Sequence, residues 1–112
     1  MSALSDKMRK ARQVRVESNG HVFVVLRPTP IQWEKIARHG DLYQGIVELL
    51  VDWDKFVELD LIPGGDPHPV KFDADACAEW LADHPEDFGR VADAMVEAMN
   101  KYVEGRDAAV KN

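Results

Sequence analysis

Apolar positions along the chain recur first at spacing two and then at spacing three and four. Arg12-Gln13-Val14-Arg15-Val16-Glu17-Ser18 alternates, Asn19-Gly20 interrupts, and His21 to Arg27 forms a second extended run. Asn-Gly between two such runs predicts a two-residue hairpin turn, because both turn residues must take positive φ. The loop length sets the register. Ser18 falls opposite His21, Val16 opposite Phe23 and Val14 opposite Val25, while Glu17 faces Val22 and Arg15 faces Val24. One face of the hairpin is then wholly apolar and is expected to lie on the helices. The other sets Val22, Val24 and Leu26 against Glu17, Arg15 and Gln13, an apolar ridge that requires a cover. The cover is a third strand or a helix of the same chain, or else a partner's strand or a second subunit.

Helical spacing takes over after Pro28-Thr29-Pro30. Thr29 reads as an N-cap with Pro30 at the first helical position of a segment carrying Ile31, Trp33, Ile36 and Ala37 and stopping near Gly40. Asp41 then caps a second helix expected to run through Trp53, with Leu42, Ile46, Leu49, Leu50 and Trp53 in one stripe. From Asp54 to Pro69 the chain reads as irregular and partly extended. There Phe56, Val57, Leu59, Leu61 and Ile62 precede Pro63-Gly64-Gly65-Asp66-Pro67. Asp73 caps a helix from Ala74 to about Ala82, with Cys77, Trp80 and Leu81 on one face. Pro85 opens the last helix, whose stripe of Phe88, Val91, Ala92, Met95, Met99, Tyr102 and Val103 spans about five turns, ending near Gly105.

These elements predict an α+β fold, a mainly α-helical single domain of about four helices with a small N-terminal β-hairpin. The globular part is expected over residues 12–105. A short basic arm, residues 1–11, precedes it, helical only on a partner, and a polar, disordered tail, residues 106–112, follows. A chain of 112 residues suffices for one core, and no apolar run approaches the roughly 18 residues of a membrane span. The first residues lack the apolar segment of a secretory signal, so the chain is expected to stay where it is made.

Charge changes the picture more than composition does. Residues 1–40 carry eight Lys/Arg and three Asp/Glu, whereas residues 41–104 carry four and sixteen. The result is a basic head on an acidic body. Lys7, Arg9, Lys10, Arg12 and Arg15 could meet phosphates, but the acidic remainder opposes nucleic acid, and such arms more often steer protein partners.

Nothing in the sequence assembles a catalytic centre. His21, His39, His68 and His84 lie singly, without zinc-ligand spacing. Cys77 shares an apolar stripe with Trp80 and Leu81 and reads as core. The carboxylate pairs Asp52 and Asp54, Asp73 and Asp75, and Glu86 and Asp87 fall at helix starts and on polar faces, where helix dipoles and solubility explain them. No enzyme activity, metal or cofactor is expected. Met95 and Met99 suit either a core or an adaptable binding groove. The far end of the last helix, Met99, Tyr102 and Val103, is expected to extend past the domain. Together with Val22, Val24 and Leu26 it forms the candidate partner surface.

The order of these pieces resembles the tail assembly chaperones of long-tailed bacteriophages. The resemblance rests on the basic segment entering a hairpin, on Leu26-Arg27-Pro28-Thr29 before a helix, and on Leu49-Leu50-Val51-Asp52-Trp53 with Phe56-Val57 before a polar loop. Pro69-Val70-Lys71-Phe72 leading to a helix with Trp80-Leu81 completes it. It covers about residues 12–104, and the loop Leu61 to Pro67 is longer than the acidic turn of the pattern. The resemblance implies framework roles for Trp53 and Phe72. It also implies binding to a tape-measure protein, recruitment of tail-tube subunits, a longer frameshifted form, and action in the host bacterial cytoplasm rather than in the finished virion. The alternative is an acidic interaction module, such as a DNA mimic that occupies a nucleic-acid-binding protein.

Overall fold

The hairpin forms with the register that its turn dictates. In the computed structural model, which describes residues 2–111, Asn19 and Gly20 take φ of 49° and 83°. Strand β1 (Gln13–Ser18) pairs antiparallel with β2 (His21–Leu26), from Ser18 opposite His21 to Gln13 opposite Leu26. A third strand, β3 (Leu50–Asp54), pairs antiparallel with β2, so the sheet order is β1-β2-β3 and the hairpin's second strand is central.

That third strand corrects the helix expected from Asp41 through Trp53. Asp41 does cap a helix, but helix α3 is short (Leu42–Val47), and the chain turns at Glu48 and Leu49 into the sheet. The reason lies in the pairing. Val24 pairs with Asp52 and Val25 with Leu50, so Val51 is an extra residue in a β-bulge. The bulge separates the buried positions Leu50 and Trp53 by three residues instead of two, and a bulged strand then carries the spacing of a helix.

Six helices, among the described residues, replace the four expected. Helix α1 (Ala3–Ala11) is helical in the single chain rather than only on a partner, with Ser2 as its N-cap. Helix α2 (Pro30–His39) begins at Thr29 with a full capping box. Thr29 Oγ1 accepts from the Gln32 amide at 3.1 Å, and Gln32 Oε1 accepts from the Thr29 amide at 2.9 Å. It ends at Gly40, whose φ of 69° is the left-handed geometry glycine adopts without strain. A single turn, α4 (Glu58–Leu61), opens the Gly/Pro-rich loop. The loop folds back on its own start: Val57 bridges Pro69, and Val70 N–H donates to Phe56 O at 3.0 Å. Helix α5 (Ala74–Asp83) is capped by Asp73. Helix α6 (Pro85–Lys111) runs straight through Gly105, so the stop and the disordered tail expected there are replaced by helix. Met1 and Asn112, the outer ends of the expected arm and tail, lie outside the described residues.

One face of the sheet packs on α6 and α5 around a single core. Val16, Phe23, Val25, Leu50 and Trp53 from the strands meet Cys77, Leu81, Val91, Ala92 and Met95 from the helices, joined by Ile46, Leu49 and Phe56. Helices α1 and α2 contribute no fully buried residue. The radius of gyration, 15.6 Å, exceeds the roughly 13 Å of a spherical domain this size, and the longest extent is 57 Å. The excess fits a projecting α1 and a 27-residue α6 that is about 40 Å long at 1.5 Å per residue.

Candidate functional site

Two regions differ sharply in how their side chains are held. At the hairpin turn, Asp87 in the first turn of α6 is 1% exposed, which corrects its reading as a surface charge complementing a helix dipole. Its carboxylate accepts from Ser18 Oγ, from Asn19 Nδ2 at 2.9 Å and from Trp80 Nε1 at 2.9 Å. Arg90 Nη1 donates to Ser18 Oγ at 3.1 Å, and Arg90 Nη2 meets Glu86 at 2.8 Å. Burial alone would raise the Asp87 carboxyl. Hydrogen bonds from Ser18, Trp80 and Asn19, with the charge of His84, outweigh it and hold the group below the usual carboxylate range.

An aromatic cluster continues from this node. His21 stacks on Phe56 at 4.1 Å, Phe56 stacks on Trp53 at 4.4 Å, and Trp80 stacks on His84 at 3.7 Å. Trp53 also donates Nε1–H to Val70 O at 2.9 Å and meets Phe72 edge-on at 5.7 Å. These contacts tie β3, the loop and α5 together. His21 Nε2 lies 3.2 Å from Asp60 Oδ2, while its buried Nδ1 has no partner among the described residues. The Asp60 carboxyl is held below its ordinary value, chiefly by the hydrogen bond from the Val57 backbone. This is a structural lock, with its polar groups turned inward.

The opposite end is open. A groove of about 550 Å³ separates α2 from α3, lined by Gln32, Lys35, Ile36 and His39 on one wall and by Asp41, Gln44, Gly45, Glu48 and Leu49 on the other. Gly45 sets its floor: a Cβ there would lie 2.5 Å from Ile36 Cγ1, so only glycine lets α2 approach α3 this closely. A glycine inside an apolar helical stripe is the sequence signal for such an approach, and it passed unread. Ile31, at the start of α2, is 68% exposed.

Of the six residues expected to meet a partner, three are enclosed by the chain itself. Val22 is 1% exposed, and Leu26 and Met99 are also buried, Leu26 within the core. By register, Glu17 and Asp54 flank Val22 on the outer face of the sheet, and Arg15 and Asp52 flank Val24. Arg15 reaches Asp54 at 3.5 Å across the central strand. Val24 and Val103 are half-buried. Tyr102 is exposed but carries the Arg27 guanidinium 3.8 Å from its ring centroid, so this part of α6 lies against the residue that follows β2 and is not free of the domain.

Cys77 is fully buried, and burial pushes its thiol up to about 12. Among the described residues no three His, Cys, Asp or Glu side chains gather as metal ligands, and no helix is long and apolar enough to cross a membrane. Comparison of the chain with protein-family models, curated proteins and solved structures finds no match.

Proposed function

We propose that the chain is a protein-binding module that acts as a phage tail assembly chaperone, holding a tape-measure protein soluble and bringing tail-tube subunits to it. The observation that carries this reading is the open groove between α2 and α3, walled in part by Ile36 and Leu49, where α2 contributes nothing fully buried to the core and exposes Ile31 one residue before the lining residue Gln32. A groove with apolar and polar walls suits an amphipathic helix, whose apolar positions enter while its polar face stays wet. The element order of the tail-chaperone pattern supports the identity of that helix. The acidic body supports solubility of the complex.

The binding face in this reading is Ile31, Lys35 and Ile36 rather than the sheet ridge, with Val24 and Val103 as secondary contacts. The test begins with the DNA on either side of the coding sequence. A long helix-rich reading frame nearby supplies the partner, and co-expression should move that partner into the soluble fraction. Ile31→Asp should abolish the effect without altering the circular dichroism of the chain. A partner that stays insoluble with the wild-type chain, or one rescued equally by Ile31→Asp, contradicts the reading. An acidic mimic would instead capture basic DNA-binding proteins with steep salt dependence.

A further inference from the structure

Helix α1 is well formed and basic, and it buries no residue against the described chain. Leu4 and Met8 are 68% and 62% exposed. With Ala11 they make one apolar stripe at spacing of four and three, and Lys7 and Lys10 follow its border. Among the described residues no ion pair joins Lys7, Arg9 or Lys10 to a carboxylate.

The chain carries a complementary stripe elsewhere. On the outer face of α6, Val96 is exposed and the half-buried Val103 lies two turns on, with Asn100 between them and Asp93, Glu97 and Glu104 along one side. Glu97 pairs with Lys101 at 3.0 Å, while Asp93 and Glu104 take no cation among the described residues. An apolar seam with bases along one border meets an apolar seam with acids along its border.

Within one chain the two stripes are kept apart. The junction between α1 and β1 is a single residue, Arg12, and it is fastened on several sides. Arg12 O accepts from the Arg27 amide at 2.7 Å. Its Nε donates to Arg27 O at 3.0 Å and its Nη2 to Gln32 Oε1 at 3.0 Å. With its junction held by these bonds, α1 buries no residue against its own chain. We propose that α1 docks on the Asp93–Glu104 face of α6 of a second copy of this chain, so that copies associate by exchanging their N-terminal helices. The interface is small, and its affinity is correspondingly weak and salt-sensitive.

Sedimentation velocity over roughly 5–500 µM brackets interfaces of this size. The wild-type chain should self-associate, less so as salt rises from about 50 to 500 mM. Met8→Glu should raise the dissociation constant at least about tenfold. Its melting temperature should stay unchanged, since α1 buries nothing. A charge exchange separates this contact from any other. The K7E/K10E and E97K/E104K variants should each be monomeric alone, and mixing them should restore association, because each then offers the helix or the face that the other lacks. A wild-type chain monomeric throughout, association indifferent to Met8→Glu, or failure of the mixed pair to associate overturns the proposal. So does a monomeric chain that binds vesicles of anionic phospholipid through α1.

Discussion

The hairpin-turn end and the α2–α3 end of this domain use the same kinds of residue to opposite effect. At the turn, Trp80, Asn19 and the buried Ser18 all donate to the buried Asp87, and Trp53, Phe56, His21 and Trp80 stack into one cluster. At α2, Ile31 and Lys35 face solvent, and Ile36 rests on the one glycine that admits it. The lesson is a division of labour. Stability is concentrated where polar and aromatic groups pair and stack with one another, and the proposed binding falls where helices are only lightly seated.

The comparison breaks most visibly at the aromatic cluster. Phe56→Ala removes the ring that contacts His21, Phe23, Trp53 and Trp80, and should cost about 3–5 kcal/mol in chemical denaturation, a large share of what a domain this size has. Asp87→Ala should cost about 2–4 kcal/mol, because three donors, one of them the buried Ser18 hydroxyl, lose their acceptor at once. The same carboxylate gives the domain an acid-sensitive component. Its folded pKa lies below the unfolded value, so its contribution is fully present above about pH 4 and is lost as pH falls through the folded pKa. Asp87→Asn should flatten that part of the stability–pH profile below pH 4, measured by urea titration.

Smaller effects sharpen the contrast. Gly45→Ala should cost about 1 kcal/mol by lifting α2 from α3, and next to nothing when Ile36 is already alanine, a coupling that a double-mutant cycle reads directly. Ile31→Asp should change stability by no more than about 0.5 kcal/mol while removing partner binding, the two readouts being denaturation and co-expression.

Much of the sheet and helix order was legible because local chemistry dictated it. Asn19-Gly20 set the whole β1–β2 register, and Thr29-Pro30, Asp41, Asp73 and Pro85 each mark a helix start in the structure. What escaped were features made by contacts between distant segments. The bulge at Val51 disguised β3 as helix, and with it the strand that makes β2 central. Asp87 gave no sign of burial, since nothing near it in sequence announces that Ser18 and Asn19 will arrive from 68 or more residues away. Gly105 looked like a stop, yet a lone glycine costs a long helix only about 1 kcal/mol, and α6 continues through it. The burial of Val22 and Leu26 escaped for the same reason: β3 sets Asp54 beside Val22 on the central strand, and Leu26 joins the core cluster.

The division of labour is tested most directly by native-state hydrogen exchange, followed residue by residue in the unmodified chain. The account predicts that amides of β2, α5 and the Val91–Met99 part of α6 exchange only through global unfolding. Amides of α1 and α2 should exchange through local openings costing several kcal/mol less. Uniform protection, with α1 and α2 as slow as β2, would contradict it.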